Sequence, residues 1–363
     1  MKLWSISFSY RLGLGFHALN NEGSEGSNLM QPRRIDVGKT TYDGISGEMV
    51  RRHILENFVN LCRADDIDLL PASAALHPDR GPLGIRKKAK DLGSEKLTKK
   101  NPAELFKAVR EAVKSCAVLD VGGFLAPFSE RAEPANGGGN KAVAPEETLE
   151  QSLADIGGKS DGGPPYTVKR DSVFDVAWLI SEKPQDLAIT QHAAYRPSGS
   201  QSLFSQTMRS NTYAGVIRAE LHRIGTDDYW YLHPDGTKRP AIDETEQKKR
   251  QLALVNAIAN FIASPAGAKM AGWAPHVFLT QGAVLLSSDR TAPFSSPIRV
   301  EIGNSEPPVK ADPNYVQTMK NLANAKTCWV WTFEDAKGLL DLVEEIRKCL
   351  DGKQHGQEES KTQ

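Results

Sequence analysis

Residues 4–16 alternate without a break. Trp4, Ile6, Phe8, Tyr10, Leu12, Leu14 and Phe16 share one parity, and Ser5, Ser7, Ser9, Arg11, Gly13 and Gly15 share the other. A period of two is the period of a strand, in which successive side chains point to opposite faces. Seven large apolar side chains on one parity predict a strand with that whole face, Phe16 included, buried against a core. The other parity is Ser and Gly with a single Arg. A face with so little bulk either lets a backbone or a ligand come close or stands open to solvent.

Further along, NNEGSEGSNLMQ (20–31) reads as a polar, glycine-rich, mobile loop. Arg33, Arg34 and Lys39 follow it, and Asp43-Gly44 reads as a turn. Ser46 has the chemistry of a helix N-cap, and Glu48 falls in the first turn, where the helix dipole favours an acid. Val50, Ile54, Phe58 and Leu61 then recur at helical spacing through about Cys62. Residues 65–101 look irregular and basic, and Asn101-Pro102 opens a second helix. CAVLDVGGFLAPF reads as a buried strand broken at Gly122-Gly123. Residues 129–165 are too poor in large apolar side chains to pack a core. TYAGVIRAEL from Thr212 is a strand, and QSLFSQTMRSNTYAG places Gln206, Arg209, Ser210 and Asn211 just before it. A turn at Asp235-Gly236 leads to a helix at 246–264. Strands are expected near 276–287, 297–302 and at CWVWTF, an amphipathic helix at 334–350, and a disordered polar tail at 351–363. Strand, helix, strands, helix, strand is the order of a ferredoxin-like or RRM-type sheet, so the expected class is α+β with large insertions.

Composition narrows the function. The 363 residues carry 45 Lys+Arg and 45 Asp+Glu, with 39% hydrophobic residues. That balance excludes a histone-like polycation and an acidic disordered chain, but it permits a locally basic groove. No apolar run reaches the ~20 residues of a spanning helix, and the N-terminus lacks a signal-peptide block. The expectation is therefore a cytoplasmic chain without a membrane partner. Cys62, Cys116, Cys328 and Cys349 are dispersed, which suits buried free thiols rather than a zinc cluster or a disulfide framework.

The usual catalytic signatures GxSxG, GxxxxGK[ST] and HExxH are absent, and the eight histidines form no i, i+4 pair. LGLGF sits inside a strand pattern and opens no helix, so it is no nucleotide fingerprint. No metal or cofactor is implied. The acids Glu22, Glu25 and Asp36 could serve phosphodiester chemistry or be solvated loop groups. The basic residues cohere better. Arg33, Arg34, Lys39, Arg51, Arg52 and His53, with the donors Thr40, Ser46 and Gly47, surround a helix N-terminus, a natural place for phosphate. Gln206, Arg209 and Ser210 form a second candidate group, and Arg290 in LLSSDRTAPFSS a third.

Three segments taken together carry a family resemblance: the first strand running through a loop into RRIDVGKTTYDGISGEMVRRH, then CAVLDVGGFL, then FSQTMRSNTYAGV after a long insertion. In this order they resemble the Cascade backbone subunit of type I CRISPR interference complexes, the Cas seven family in its DevR/Csa-like branch. The resemblance implies a non-catalytic, hand-shaped subunit, a single domain over 1–363. Its RRM-like palm would comprise 1–64, 102–126 and 172–350, with a finger-like insertion at 65–101 and a thumb at 127–171. It implies binding to CRISPR RNA through Asn20, the basic group above, Gly122, Gly123, Phe124, Gln206, Arg209, Ser210 and Arg290. Its partners would be neighbouring copies of itself, target DNA reached through the guide, a Cas five-like cap subunit and a large subunit. The alternative from the same resemblance is a type III-like subunit that cuts target RNA with Asp36, Glu25 or Glu22. The balanced charge conceals polarity. Arg80–Lys114 holds eleven basic residues against four acids, and Glu130–Asp161 three against seven.

Overall fold

The computed structural model describes residues 3–22, 29–93, 102–128, 166–195, 201–233, 238–267, 274–301, 307–323 and 326–350. Residues 129–165 of the thumb expected at 127–171, Glu25, the turn at Asp235-Gly236 and the tail lie outside them. In chain order the strands are β1 (Ser5–His17), β2 (Asn21–Glu22), β3 (Leu29–Val37), β4 (Thr40–Ile45), β5 (Phe124–Phe128), β6 (Tyr166–Arg170), β7 (Phe174–Val176), β8 (Leu179–Pro184), β9 (Leu187–Tyr195), β10 (Gln201–Ala219), β11 (His276–Ser287), β12 (Ile298–Val300), β13 (Val309–Ala311) and β14 (Cys328–Phe333). The helices are α1 (Gly47–Ala64), α2 (Pro71–Ala74), α3 (Arg80–Asp91), α4 (Pro102–Lys114), α5 (Ala117–Gly122), α6 (Glu244–Ala263), α7 (Tyr315–Leu322) and α8 (Ala336–Leu350). The chain divides into two compact units. One comprises 1–58, 174–222 and 251–363, and the other 59–173 and 223–250.

The first unit is built on one large sheet in the order β14-β11-β1-β10-β8-β4-β3-β2. Its centre, β11-β1-β10-β8, is antiparallel throughout. With α1 between β1 and β8 and α6 between β10 and β11, the chain runs β-α-β-β-α-β, the ferredoxin-like order, and the class is α+β as the element order predicts. Ile6, Phe8, Tyr10, Leu12 and Leu14 are fully buried, and so are Val50, Ile54 and Phe58 of α1 and Ile258, Phe261 and Ile262 of α6.

The small face of β1 is closed as well. Ser5 Oγ donates to the carbonyl of Arg290 at 2.6 Å and accepts from the Ala292 N–H, while Ser7 Oγ donates to the Pro293 carbonyl at 2.7 Å. The segment after β11 lies over this face, where α7 adds Met319 to a cluster with Ala283, Leu285, Ala292 and Cys328. Low bulk here admits the protein's own backbone, and the serines satisfy the carbonyls that this approach buries.

Three local expectations are corrected. The hairpin turn falls at Gly38-Lys39, between the paired Val37 and Thr40, and Asp43-Gly44 lies inside β4. Gly38 takes the left-handed φ of +62° that a two-residue hairpin loop demands. Gln206, Arg209 and Asn211 are strand residues, because β10 starts at Gln201, eleven positions before Thr212. Phe16 leaves the buried face, for a reason given below.

The second unit is helical around a two-stranded ladder, in which β5 pairs with β6 from Phe124↔Arg170 to Phe128↔Tyr166. Residues 117–122, expected as strand, form the helix α5. It ends at Gly123, whose φ of +65° and close approach to the Arg170 carbonyl leave no room for a Cβ. The stretch expected to be irregular at 65–101 contains α2 and α3. Gly81 and Gly84 of α3 lie against Phe124 and Leu119, so helix formation there depends on tight packing rather than on propensity. Cys62 is buried, and burial pushes its thiol up to about 12, which keeps it inert.

Candidate nucleic-acid interface

The start of α1 forms as its sequence predicts. Ser46 Oγ accepts the Met49 N–H at 3.3 Å, capping the helix. Gly47 is required by space, since a Cβ there would meet the Val176 carbonyl. Arg51 is half-buried with its guanidinium 5.8 Å from the Phe174 ring centroid. Burial lowers its pKa, against the pull of Asp175 and Glu48. Arg52 is exposed and pairs with Glu56 at 3.1 Å, the acid that also meets His53 at 2.6 Å. The helix start is thus basic but internally bridged.

The β3–β4 hairpin carries the more open cations. Lys39 is exposed at its turn with Thr40 half-buried beside it, and Arg34 is exposed further back along β3, opposite Asp43. Arg33 lies 5.6 Å over the Trp178 ring. Asp36 accepts the Thr41 hydroxyl at 2.7 Å, an ordinary cross-strand bond. Glu22 sits in β2, paired with Gln31.

The β10 group splits in two. Ser210 is exposed, whereas Arg209 is buried and faces inward, donating to the Leu19 carbonyl and, at 3.4 Å, to Asn21 Oδ1. Asn20, at φ +62°, and Gln206 are buried too. Arg209 belongs to a polar network with His17, Tyr213 and Asp43. His17 Nδ1 accepts the Leu19 N–H, so its other ring nitrogen donates to Tyr213 Oη at 3.0 Å. Burial, reinforced by Arg209, lowers the His17 pKa to about 3, and burial raises that of Asp43. Arg290 turns to its neighbour Asp289, with contacts of 2.9 and 3.0 Å that hold the Asp289 carboxyl at about 2.

One surface feature escapes the strand pattern. Phe16 and Phe278 both stand out in solvent at the same end of the sheet, with His276 between them in sequence register. The one signal for them in the sequence is the Gly13-x-Gly15-Phe16 run, whose glycines invite a bulge.

Gly122, Gly123 and Phe124 belong to the second unit, where they frame a buried ionic centre. The Asp120 carboxylate receives Arg170 at 2.6 Å, Arg250 at 3.0 Å and the Gly225 N–H at 2.8 Å. Much of the basic run is also spent inside this unit. Arg80 donates to two backbone carbonyls, Lys88 meets Asp91, and Arg110 bridges Asp227 and the carbonyls of Lys238 and Pro240. Among the described residues no group of His, Cys, Asp and Glu is arranged to hold a metal ion, and no helix is long and apolar enough to cross a membrane.

A family model described as CRISPR-associated negative auto-regulator DevR/Csa2 matches residues 8–305. The chain belongs to the DevR/Csa2 family. The match takes in the whole ferredoxin-like centre but for the first residues of β1, and it agrees with the resemblance carried by the three sequence segments. DevR/Csa2 proteins are CRISPR-associated, and three residues of the segments that carry the resemblance have physical reasons in this fold: Gly47 for close approach, Asp120 for the ionic centre, Gly123 for its backbone. No curated relative matches the chain. Among solved structures, one described as "CRISPR RNA-guided surveillance complex, pre-nicking" is 10% identical over 96% of this chain and 100% of that one, at a TM-score of 0.46. Another, described as "CRISPR RNA-guided surveillance complex", is 9% identical over 95% and 99%, at 0.41. At TM-scores below one half these likenesses carry no weight for fold or function.

Proposed function

We propose that this DevR/Csa2 protein is a non-catalytic backbone subunit that binds CRISPR RNA, lines up along it in several copies and leaves the guide bases free to pair with target DNA. The observation that supports this most is the family match across a ferredoxin-like sheet, an architecture that binds single-stranded RNA in other modules. On this reading Arg34, Lys39 and the α1 start with Arg51, Arg52 and His53 meet phosphates, while pairing, not protein, reads sequence. Ser210 and Arg290 extend that track, Arg290 by exchanging Asp289 for phosphate. Arg209, Asn20 and Gln206 hold the strand end in place beneath it. Gly122–Phe124 shapes the root of the insertion at 127–171, which acts as the thumb and reaches the next copy. The cap and large subunits close the filament in the cytoplasm.

The test is direct. The purified protein should carry RNA, seen as excess absorbance at 260 nm that ribonuclease removes. Protein free of nucleic acid that also fails to bind added CRISPR RNA sinks the proposal. The cleaving alternative is checked in the same preparation with complementary RNA and Mg²⁺. Regularly spaced cuts abolished by Asp36→Ala would replace the non-catalytic reading.

A further inference from the structure

Two register shifts meet at the C-terminal end of β1. Against β10, Leu14 pairs with Asn211 but His17 pairs with Arg209, so β1 carries an extra residue there. Against β11, Gly13 pairs with Leu279 but Leu14 pairs with Val277, so Phe278 is skipped. Each bulge throws out one phenylalanine: Phe16 is 64% exposed and Phe278 61%. Bulges re-aim side chains, and they concentrate beside functional sites.

Phe16 is held at a cost. Its φ is +52°, a conformation unfavourable for a bulky side chain, and its N–H is fixed by Ser210 Oγ at 2.9 Å. Without the bulge the same ring would sit on the buried face beside Leu14. The chain therefore gives up both backbone comfort and apolar burial to present this ring to water. Around it the neighbouring positions of β1 are glycines. The Phe278 ring lies over Gly13, His276 lies over Gly15, and the Phe16 and His276 rings meet edge to face at 6.0 Å and 89°. The three strand ends that carry the group, 12–17, 209–212 and 274–280, contain no Asp or Glu.

We infer that Phe16, His276 and Phe278 form a stacking site for an unpaired base of single-stranded nucleic acid. A corner of two perpendicular rings accepts a flat heterocycle, with one ring offering its face and the other an edge. Base–aromatic stacking is independent of sequence, and the absence of carboxylates suits an occupant on a phosphate backbone. The inference rests on the RNA-binding reading and adds to it a subsite made of apolar contact rather than charge.

The test uses the full chain and a 2-aminopurine-substituted single-stranded RNA dodecamer, read by fluorescence quenching and by affinity at several salt concentrations. Phe16→Ala should weaken binding roughly 5- to 150-fold, relieve the quenching and leave the salt slope unchanged, because a stacked base releases no counterion. Phe16→Gly relaxes the positive φ, so it should weaken binding equally while the melting temperature stays level or rises. Phe16→Trp should restore affinity. Wild-type protein that fails to bind the dodecamer overturns the RNA-binding reading and this inference with it. Wild-type binding with unchanged affinity and quenching in Phe16→Gly overturns this inference alone. Loss of self-association in that variant, with RNA affinity intact, reassigns the rings to a contact between copies and overturns it as well.

Discussion

Asp120 shows how much one side chain can decide. Its carboxylate is fully buried between the guanidinium groups of Arg170 and Arg250, which are themselves 1% exposed. Removing it leaves Arg170 with only Asp228 and Arg250 with only Glu246 as charge partners, both acids nearer to solvent than Asp120. Breaking one partner out of a buried ionic group costs about 3–5 kcal/mol, so Asp120→Ala should unfold the second unit well below the wild-type urea midpoint, as followed by circular dichroism. His17 offers a pH test. Its pKa is about 3 in the fold against ~6.5 in the unfolded chain. Between those values the unfolded chain binds a proton that the folded protein refuses. Stability from this group is therefore complete above ~6.5 and is lost as pH falls towards 3, by up to ~1.4 kcal/mol per pH unit. His17→Gln should flatten that part of the profile when urea midpoints at about pH 7 and about pH 4.5 are compared. Neither role is legible in the residue type alone. A buried acid and a buried histidine need their partners, and Arg250 lies 130 positions from Asp120.

At the scale of elements, periodicity and capping served well and turn chemistry less so. The alternation in β1, the Ser46 cap, the Pro102 start of α4 and the amphipathic α8 all lie where local pattern puts them, because each depends on neighbours within a few residues. The strand expected at 117–122 became α5, since an apolar run of this length fits a buried helix as readily as a strand and packing decides. The Asp43-Gly44 turn gave way to Gly38-Lys39, because cross-strand pairing with Arg33 and Arg34 extends β4 through it. Of the candidate site, the open cations of the hairpin follow from sequence, whereas the inward turn of Arg209 and the outward turn of Phe16 depend on register. The cap gives a quantitative check. Ser46→Ala should cost about 1 kcal/mol and Ser46→Asp should retain most of it, measured as a shift in thermal midpoint.

For the whole molecule, the division of labour between surface charge and the 129–165 insertion can be separated by experiment. Changing Arg34 and Lys39 together to Ala should lower the slope of log affinity against log salt by roughly 1.4, at about 0.7 per single-strand phosphate contact. An unchanged slope removes the hairpin from the RNA path. Phe128 and Tyr166 are direct partners at the end of the β5–β6 ladder, so a short Gly-Asn turn in place of 129–165 can close the ladder. On the thumb reading, the shortened chain binds short RNA singly but no longer forms arrays on a long guide, which mass photometry resolves. A last consequence follows from the place of β1 between β10 and β11. The serine face of this strand is closed by a segment up to 286 positions later in the chain. Until β10 is made, about 200 positions later, this alternating, apolar strand lacks its partners on the nascent chain, which is slow, non-local folding of the kind most open to aggregation. Fragments ending before β11 should be insoluble, and the yield of the full chain should depend on how well the cell shields β1 during synthesis.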